Sequence, residues 1–384
     1  MFNETASSVD PIKESPAIDA LVDRRRHSTA GGKGFLLGLP DSGKERFVSQ
    51  QIISILRGGK DKVIVIDTDG KYVSLTEQVN GQVIRLSPGS DAHINLFDLF
   101  SGRTHGLGDD LFYKMETLCG VFETIISPRH GLSPSQKSIL SRSIYEAYDP
   151  YLKFKDAITQ DYDPGLLPTL RDLYRVLRSQ NYVDAKEMAD CLEMYVSGSI
   201  DNFASLTNFH HTSNFVVYDL RGCGVIYEPT FALAVLDHVW NTSVLPAMRP
   251  GWDHEYTWIF IDDIYPILQN EASVGAVNTI FRRCRPFACI PTGVSHYPDI
   301  FLEPQTLLHS IFVNSDYIHL CNLTPFEREG FTKDLCIPEH IAEHINGAPP
   351  CQSIVAEWNS YTAFTTDLSE HKRYIFDRET GSYI

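Results

Sequence analysis

Seven residues constrain this chain more than any others: Gly38-Leu39-Pro40-Asp41-Ser42-Gly43-Lys44, which fit G-x-x-x-x-G-K. The pattern works chemically in one setting, between a strand and a helix. There the glycines let backbone amides turn inward as an anion nest, and the helix N-terminus adds positive potential. The lysine then reaches the terminal phosphates of a nucleotide. The flanks meet that requirement. Phe35 to Gly38 reads as a short apolar strand, and Val48, Ile52, Ile55 and Leu56 after Lys44 fall on one helical face. Gly38, Pro40, Asp41, Ser42, Gly43, Lys44, Glu45 and Arg46 are therefore the expected nucleotide contacts.

The eighth loop position departs from the rule. A Ser or Thr hydroxyl normally ligates magnesium there, and this chain has Glu45. Two unit charges about 4 Å apart at an effective dielectric near 20 repel by about 4 kcal/mol. That is about a thousandfold in affinity unless Glu45 binds the metal or is protonated. Downstream, Trp258-Ile259-Phe260-Ile261-Asp262-Asp263 is an apolar strand ending in two acids. With a phosphate loop upstream, the first acid is expected to hold the metal and the second to orient the attacking water. The competing reading is an Asp that only caps the next helix. Arg283 and Arg285, near the end of the following helix, are either solvated cations favoured by the helix dipole or a finger supplied to a neighbouring subunit.

The elements alternate in a way that defines the fold class. Apolar strand-like runs at Val63–Asp67, Val83–Leu86, Phe215–Leu220, Trp258–Ile261, Phe287–Thr292 and Ile311–Leu320 are separated by helical stretches, with Ile94 to Leu99 extended. Between about 105 and 209 the character is helical. Ser133-Pro134-Ser135-Gln136 is a capping box with proline at the first helical position, and Asp184 with Glu187 reads the same way. The expected organisation is α/β: a core over 31–104 and 210–384, interrupted by a helical subdomain over 105–209. Residues 1–30 read as a polar, partly disordered lead-in.

Composition removes several function classes. At −16 the net charge opposes broad coating of nucleic acid, leaving only transient DNA contact through a few residues at the centre of a ring. No apolar run approaches the roughly 18 residues of a membrane helix, and the first residues carry no secretion signal. A cytoplasmic location is expected, peripheral to a membrane complex. The eight cysteines form no CxxC pair and read as reduced thiols. His340-Ile341-Ala342-Glu343-His344 matches the H-x-x-E-H of a zinc peptidase, with Cys336 one turn earlier, but nothing else of that scaffold is present and no zinc is expected. His210-His211 reads as a loop feature. The absence of N-K-x-D leans the nucleotide toward ATP.

From about Gly34 to Thr366 the chain resembles the conjugal-transfer ATPases of the TraE/TrsE type, within the HerA/FtsK-like P-loop group. GFLLGLPDSGKE stands where that family writes GF-L-G-PGSGKS, and VIVIDTDGKYVSL where it has I-x-D-P-E-x-E-Y. INLFDL (Asn95, Asp98) stands for INPMDI, YVSGSIDNF follows the helical insert, and WIFIDDIY stands for YYIDEFH. FRRCRPFACIPTGVSH stands for WKRFRKWGGIPTGITQN, and NSDYIHL for NSDFVYML. The resemblance implies a RecA-like motor binding ATP and Mg2+, with Lys44, Asp262, Asp263, Arg283, Arg285 and His296 as catalytic positions. Glu45 and Asp262 would be the metal positions. It implies a hexamer, or a mixed ring with a full-length relative, docked on a membrane-bound type IV secretion complex and energising channel assembly and cargo transfer. Glu45, Asp263 and His296 replace the family's Ser, Glu and Gln. Three changes at one site imply slow hydrolysis or none, and a second reading: a P-loop protein contributing structure alone. A DNA translocase of the same superfamily is a third. The family's long N-terminal domain has no counterpart in this sequence, so a split motor, a truncated copy and a subunit joining another ring all stay open.

Overall fold

The computed structural model describes residues 16–28, 31–99, 107–154, 164–248, 255–269, 271–345, 352–357, 360–365, 374–377 and 382–383. The phosphate loop joins strand β1 (Gly34–Leu37) to a 14-residue helix, α2 (Lys44–Arg57), and is preceded by α1 (Pro16–Arg26). Next come β2 (Lys62–Asp67), α3 (Val73–Gln78) and β3 (Gln82–Arg85). A helical block follows: α4 (Leu107–Ile126), α5 (Pro134–Phe154), α6 (Leu170–Ser179) and α7 (Val183–Val196). The chain returns through β4 (Phe215–Asp219), α8 (Gly224–Val239), β5 (Thr257–Ile261), α9 (Glu271–Arg283) and β6 (Cys289–Ser295). It closes with α10 (Leu307–Val313), β7 (Tyr317–Leu320), α11 (Pro325–Asp334) and α12 (Glu339–Ala342). Four further strands end it: β8 (Gln352–Glu357), β9 (Ser360–Thr365), β10 (Tyr374–Asp377) and β11 (Ser382–Tyr383).

Among the described residues eleven strands form one sheet in the order β11-β10-β9-β8-β7-β1-β6-β5-β2-β4-β3. From β7 to β3 every pairing is parallel; β8 to β11 add an antiparallel extension. The fold class read from the sequence, a mostly parallel α/β sheet with an inserted helical block, is the one found. Parallel strands are covered on both faces, which is why they read as continuous apolar runs. Ile64 and Ile66 join one core with α8, α9 and the inserted helices; Val63 and Val65 join the other with α1 and α2.

Order in the sheet decides where the chemistry lies. In such sheets ligands bind outside the carboxyl ends of the strands. β1, β6, β5 and β2 are consecutive neighbours. Their carboxyl ends therefore deliver the phosphate loop, His296, Asp262-Asp263 and the turn after Asp67 to one edge.

Several local expectations need correction. The lead-in contains α1, whose Ile18, Leu21, Val22 and Arg25 are buried against the sheet; residues 1–15 lie outside the described residues. Three consecutive arginines hid this helix, because one of them is internal. Arg25 is 2% exposed and donates to Gly32 O (2.9 Å), Gln51 Oε1 (2.9 Å) and Thr292 Oγ1 (2.6 Å). Its guanidinium lies 4.3 Å from the Tyr317 ring centroid and 5.3 Å from that of Trp258. Burial lowers its pKa to about 10, still charged at neutral pH. The run Ile311–Leu320 is not one strand. Thr306 accepts from the His309 amide at 3.0 Å and starts α10, and strand returns only at Tyr317. β6 begins at Cys289 because Ala288 adopts φ 47°, which breaks the extended backbone at the expected start. The Ser133/Gln136 capping box is present in both directions (3.0 and 3.2 Å), whereas α7 starts at Val183 without a side-chain cap.

Arg25→Met keeps the apolar stem but leaves three buried acceptors without their donor. Unmet buried hydrogen bonds cost about 1–3 kcal/mol each, so denaturant unfolding should show a loss of about 3 kcal/mol. A loss below about 1 kcal/mol would show that α1 is not fastened through this residue.

Candidate functional site

The phosphate loop has the backbone its sequence requires. Asp41 and Gly43 have positive φ, 58° and 91°; the first is tolerable for Asp and the second natural for Gly. A Cβ at Gly38 would lie 2.7 Å from the Cys321 Cβ and 2.8 Å from Ser42 Oγ, so nothing larger fits. Lys44 opens α2 fully buried. Its Nζ donates to Gly38 O (2.7 Å), Leu39 O (2.6 Å) and Ser42 Oγ (3.2 Å). Burial lowers its pKa. Pro40, Asp41 and Arg46 are exposed at the rim. Beside the loop opens a cleft of about 460 Å³, lined by Leu39, Pro40, His296, Tyr297 and Phe326 among others.

The acidic strand end sits deeper. Asp262 is 1% exposed, and burial raises its pKa to about 7; Oδ2 pairs with Lys71 Nζ at 3.2 Å, while Oδ1 has no partner. Asp263 turns away at φ 42°, its pKa raised by burial, and its Oδ1 is also buried without a partner. His296, just past β6, has its pKa lowered to about 4 by burial and then by Lys44 and Lys71, so it is neutral at pH 7. Its Nε2 lies 3.7 Å from Glu45 Oε1, and its Nδ1 is another orphan. Native interiors rarely leave buried polar atoms unpaired. Three such atoms belong to residues at the carboxyl ends of the neighbouring strands β5 and β6.

A fourth residue at the centre was not singled out from sequence: Lys71. Its Nζ lies 3.0 Å from Asp69 Oδ2, 3.2 Å from Asp262 Oδ2, 3.3 Å from His296 Nε2 and 3.4 Å from Glu45 Oε1. Although burial pulls its pKa down, these acids hold it above the usual lysine value. The turn that aims it is fixed from below. Asp67, fully buried at the end of β2, accepts from the amides of Gly70 (2.7 Å), Lys71 (3.0 Å) and Tyr72 (2.8 Å). Gly70 has φ 74°, and a Cβ there would meet the Arg221 guanidinium near 2 Å. One sequence signal was available: in I-x-D-P-E-x-E-Y the position of Lys71 is a glutamate, a charge reversal.

Glu45 points into this cluster, its side chain 29% exposed. Burial works to raise its pKa, but its own backbone amide, Lys44, Lys71 and His296 outweigh that and leave it lowered, hence ionised. Glu45, Asp262, Asp263, His296 and Lys44 are thus brought to one edge. Arg283 and Arg285 are not. α9 carries the chain from the carboxyl edge at β5 back to the start of β6, and 13 residues of helix span about 20 Å. There Arg283 lies 5.7 Å from the Trp240 ring and 5.6 Å from that of Phe287. The H-x-x-E-H segment runs from the four-residue α12 into a tighter turn at Glu343–Ile345.

Fold and loop define a RecA-like P-loop NTPase core. Among solved structures the chain is similar to VirB4 of Thermoanaerobacter pseudethanolicus, with TM-score 0.73 and 18% identity over 90% of this chain and 92% of that one. It is also similar to the conjugative coupling protein TrwB, lacking its first 70 residues and in complex with sulphate: TM-score 0.58, 11% identity, 90% and 86% covered. TrwB in complex with ADP and Mg2+ gives TM-score 0.57 and 11% identity, with 94% of each chain covered. At these identities the likeness is one of fold, and it is the fold to which the TraE/TrsE resemblance pointed. No protein-family model matches the sequence, and no curated protein matches it.

Asp262 gives the site a measurable signature. Burial lifts its pKa in the folded protein from the ordinary 3.8 to about 7, so the folded state holds the proton more tightly. This group's contribution is favourable below pH 4 and is lost as pH rises to 7. Asp262→Asn should therefore match the native stability near pH 4 and exceed it at pH 8 by about 2 kcal/mol or more. Equal stability at both pH values in denaturant titrations would refute burial as the dominant influence on this carboxyl.

Proposed function

We propose that this chain is a nucleotide-binding P-loop subunit of a conjugative type IV secretion machine, with ATP as its nucleotide. The observation that carries the reading is one strand edge bearing a phosphate loop, with its buried lysine at the first turn of α2, and a buried strand-end acid, on a fold of the VirB4 and TrwB kind. TrwB was solved with ADP and Mg2+, which supports nucleotide chemistry on such a fold.

In this reading, Lys44 exchanges the loop carbonyls for phosphate oxygens when the nucleotide enters. The amides of Ser42, Gly43, Lys44, Glu45 and Arg46 surround the same phosphates. The cleft lined by Tyr297 and Phe326 takes the base; Phe326 is 74% exposed and offers a stacking face. The chain works in a ring, a homo-hexamer or one shared with a longer relative, at the inner face of the membrane. No helix among the described residues is long and apolar enough to cross a membrane. Arg283 and Arg285, at the far end of α9, serve a neighbouring subunit if they serve a nucleotide at all.

A structural role without turnover is the second reading, and a specific observation favours it. Asp263 is one methylene shorter than the glutamate of the family it resembles, sits at φ 42° and has one carboxylate oxygen buried without a partner, which places its carboxylate differently from a longer side chain. DNA translocation has less support at a net charge of −16.

Fluorescence titration with labelled ATP should show binding that weakens at least tenfold in Lys44→Ala. Phosphate release that disappears in the same variant would mark a working motor; binding without release would mark the structural subunit. Failure of the native protein to bind ATP under any condition would end the proposal.

A further inference from the structure

The P-loop fold implies a magnesium ion beside the phosphates. In this chain its protein ligands would be Glu45, at the place of the usual hydroxyl, and Asp262. Both carboxylates already share a cation: Lys71 Nζ bridges Glu45 Oε1 (3.4 Å) and Asp262 Oδ2 (3.2 Å). Asp69 Oδ2 (3.0 Å) and His296 Nε2 (3.3 Å) complete four acceptors around one ammonium, more than its three N–H groups can serve singly. Magnesium demands oxygens at about 2.0–2.1 Å in near-octahedral array. It would have to displace the ammonium and then lie beside it. The root of Lys71 is fixed, because the turn is tied to Asp67 through three consecutive amides and Tyr72 behind it is 1% exposed. The residues present do not fit magnesium in its usual place.

We infer that Lys71 is a built-in replacement for the metal: the site takes the nucleotide's terminal phosphates on two lysines, Lys44 and Lys71, without a divalent ion. Three features agree. Lys71 sits where the cation must be, between the loop helix and the acidic strand end. Glu45, which repels a bare phosphate, faces the same ammonium at 3.4 Å, sharing its charge with Asp69 and Asp262. His296 accepts through Nε2, so its lone pair faces the ammonium, a role that the family's glutamine at this position does not need to share with a lysine. Lysine acts here as a point charge, the form in which it binds phosphate.

The inference rests on the proposed nucleotide site, and the test separates the two. ATP binding is measured by calorimetry on the full chain, in EDTA and again in magnesium chloride, for the native protein and for Lys71→Met. Thermal melts establish that the variant is folded. The native dissociation constant should agree within about threefold between the two buffers. In Lys71→Met, affinity in EDTA should fall at least tenfold and recover partly with magnesium, because Glu45 and Asp262 are then free to hold the ion. The native comparison stands without the variant. Native binding that falls tenfold or more in EDTA overturns the inference and leaves the nucleotide site intact. So does a Lys71→Met protein that binds ATP equally well in EDTA. Binding by Lys71→Met with magnesium, when the native protein binds in neither buffer, overturns it in favour of Lys71 as a plug. No binding by either protein in either buffer removes the nucleotide site itself.

Discussion

The contacts of the Lys71 ammonium organise the site, and the rest of the strand edge is arranged around them. Four segments far apart in sequence meet at one nitrogen: the start of α2 through Glu45, the turn after β2 through Asp69, the end of β5 through Asp262 and the end of β6 through His296. They can meet because β1, β6, β5 and β2 are parallel neighbours whose carboxyl ends lie side by side. Asp67 contributes from beneath, accepting from three consecutive amides and so fixing the turn. Without a positive charge at this nitrogen, Glu45, Asp69, Asp262 and Asp263 would crowd one edge with Lys44 as their nearest cation; even with Lys71 pulling it down, burial foremost and then the neighbouring acids hold the pKa of Asp262 at about 7.

Seen this way, the departures from the family pattern form a set. Ser to Glu at 45 adds a negative charge on the loop side, and Glu to Lys at 71 reverses one on the facing turn. Gln to His at 296 supplies an acceptor for the new ammonium, and Glu to Asp at 263 shortens the second acid. Each change taken alone reads as damage to a metal-dependent site. Together they exchange an external dication for an internal monocation. The orphaned oxygens of Asp262 and Asp263 and the orphaned Nδ1 of His296 are left for ordered water, which can donate to the carboxylates where a phosphate oxygen cannot.

Much of this was legible in the sequence, for definite reasons. The phosphate loop was readable because its glycines and lysine are forced by backbone conformation and lie within seven residues. The parallel strands were readable because burial on both faces makes them uniformly apolar. α1 was not, since Arg24-Arg25-Arg26 looks solvated and only tertiary contact reveals that Arg25 is stacked on Tyr317 under the sheet. α10 was hidden because Ile311 and Phe312 suit strand and helix alike, and the Thr306 cap decides between them. Lys71 escaped because its partners lie 26 residues upstream at Glu45 and 191 and 225 residues downstream at Asp262 and His296. Local pattern cannot pair charges across such separations; strand order does.

The most direct test of the central claim is anomalous diffraction from crystals grown with ATP and manganese, which scatters where magnesium would bind. The account predicts the Lys71 ammonium within ion-pair distance of the terminal phosphates and no anomalous peak between Glu45 and Asp262. A manganese peak held by those two carboxylates, with Lys71 swung aside, would contradict it.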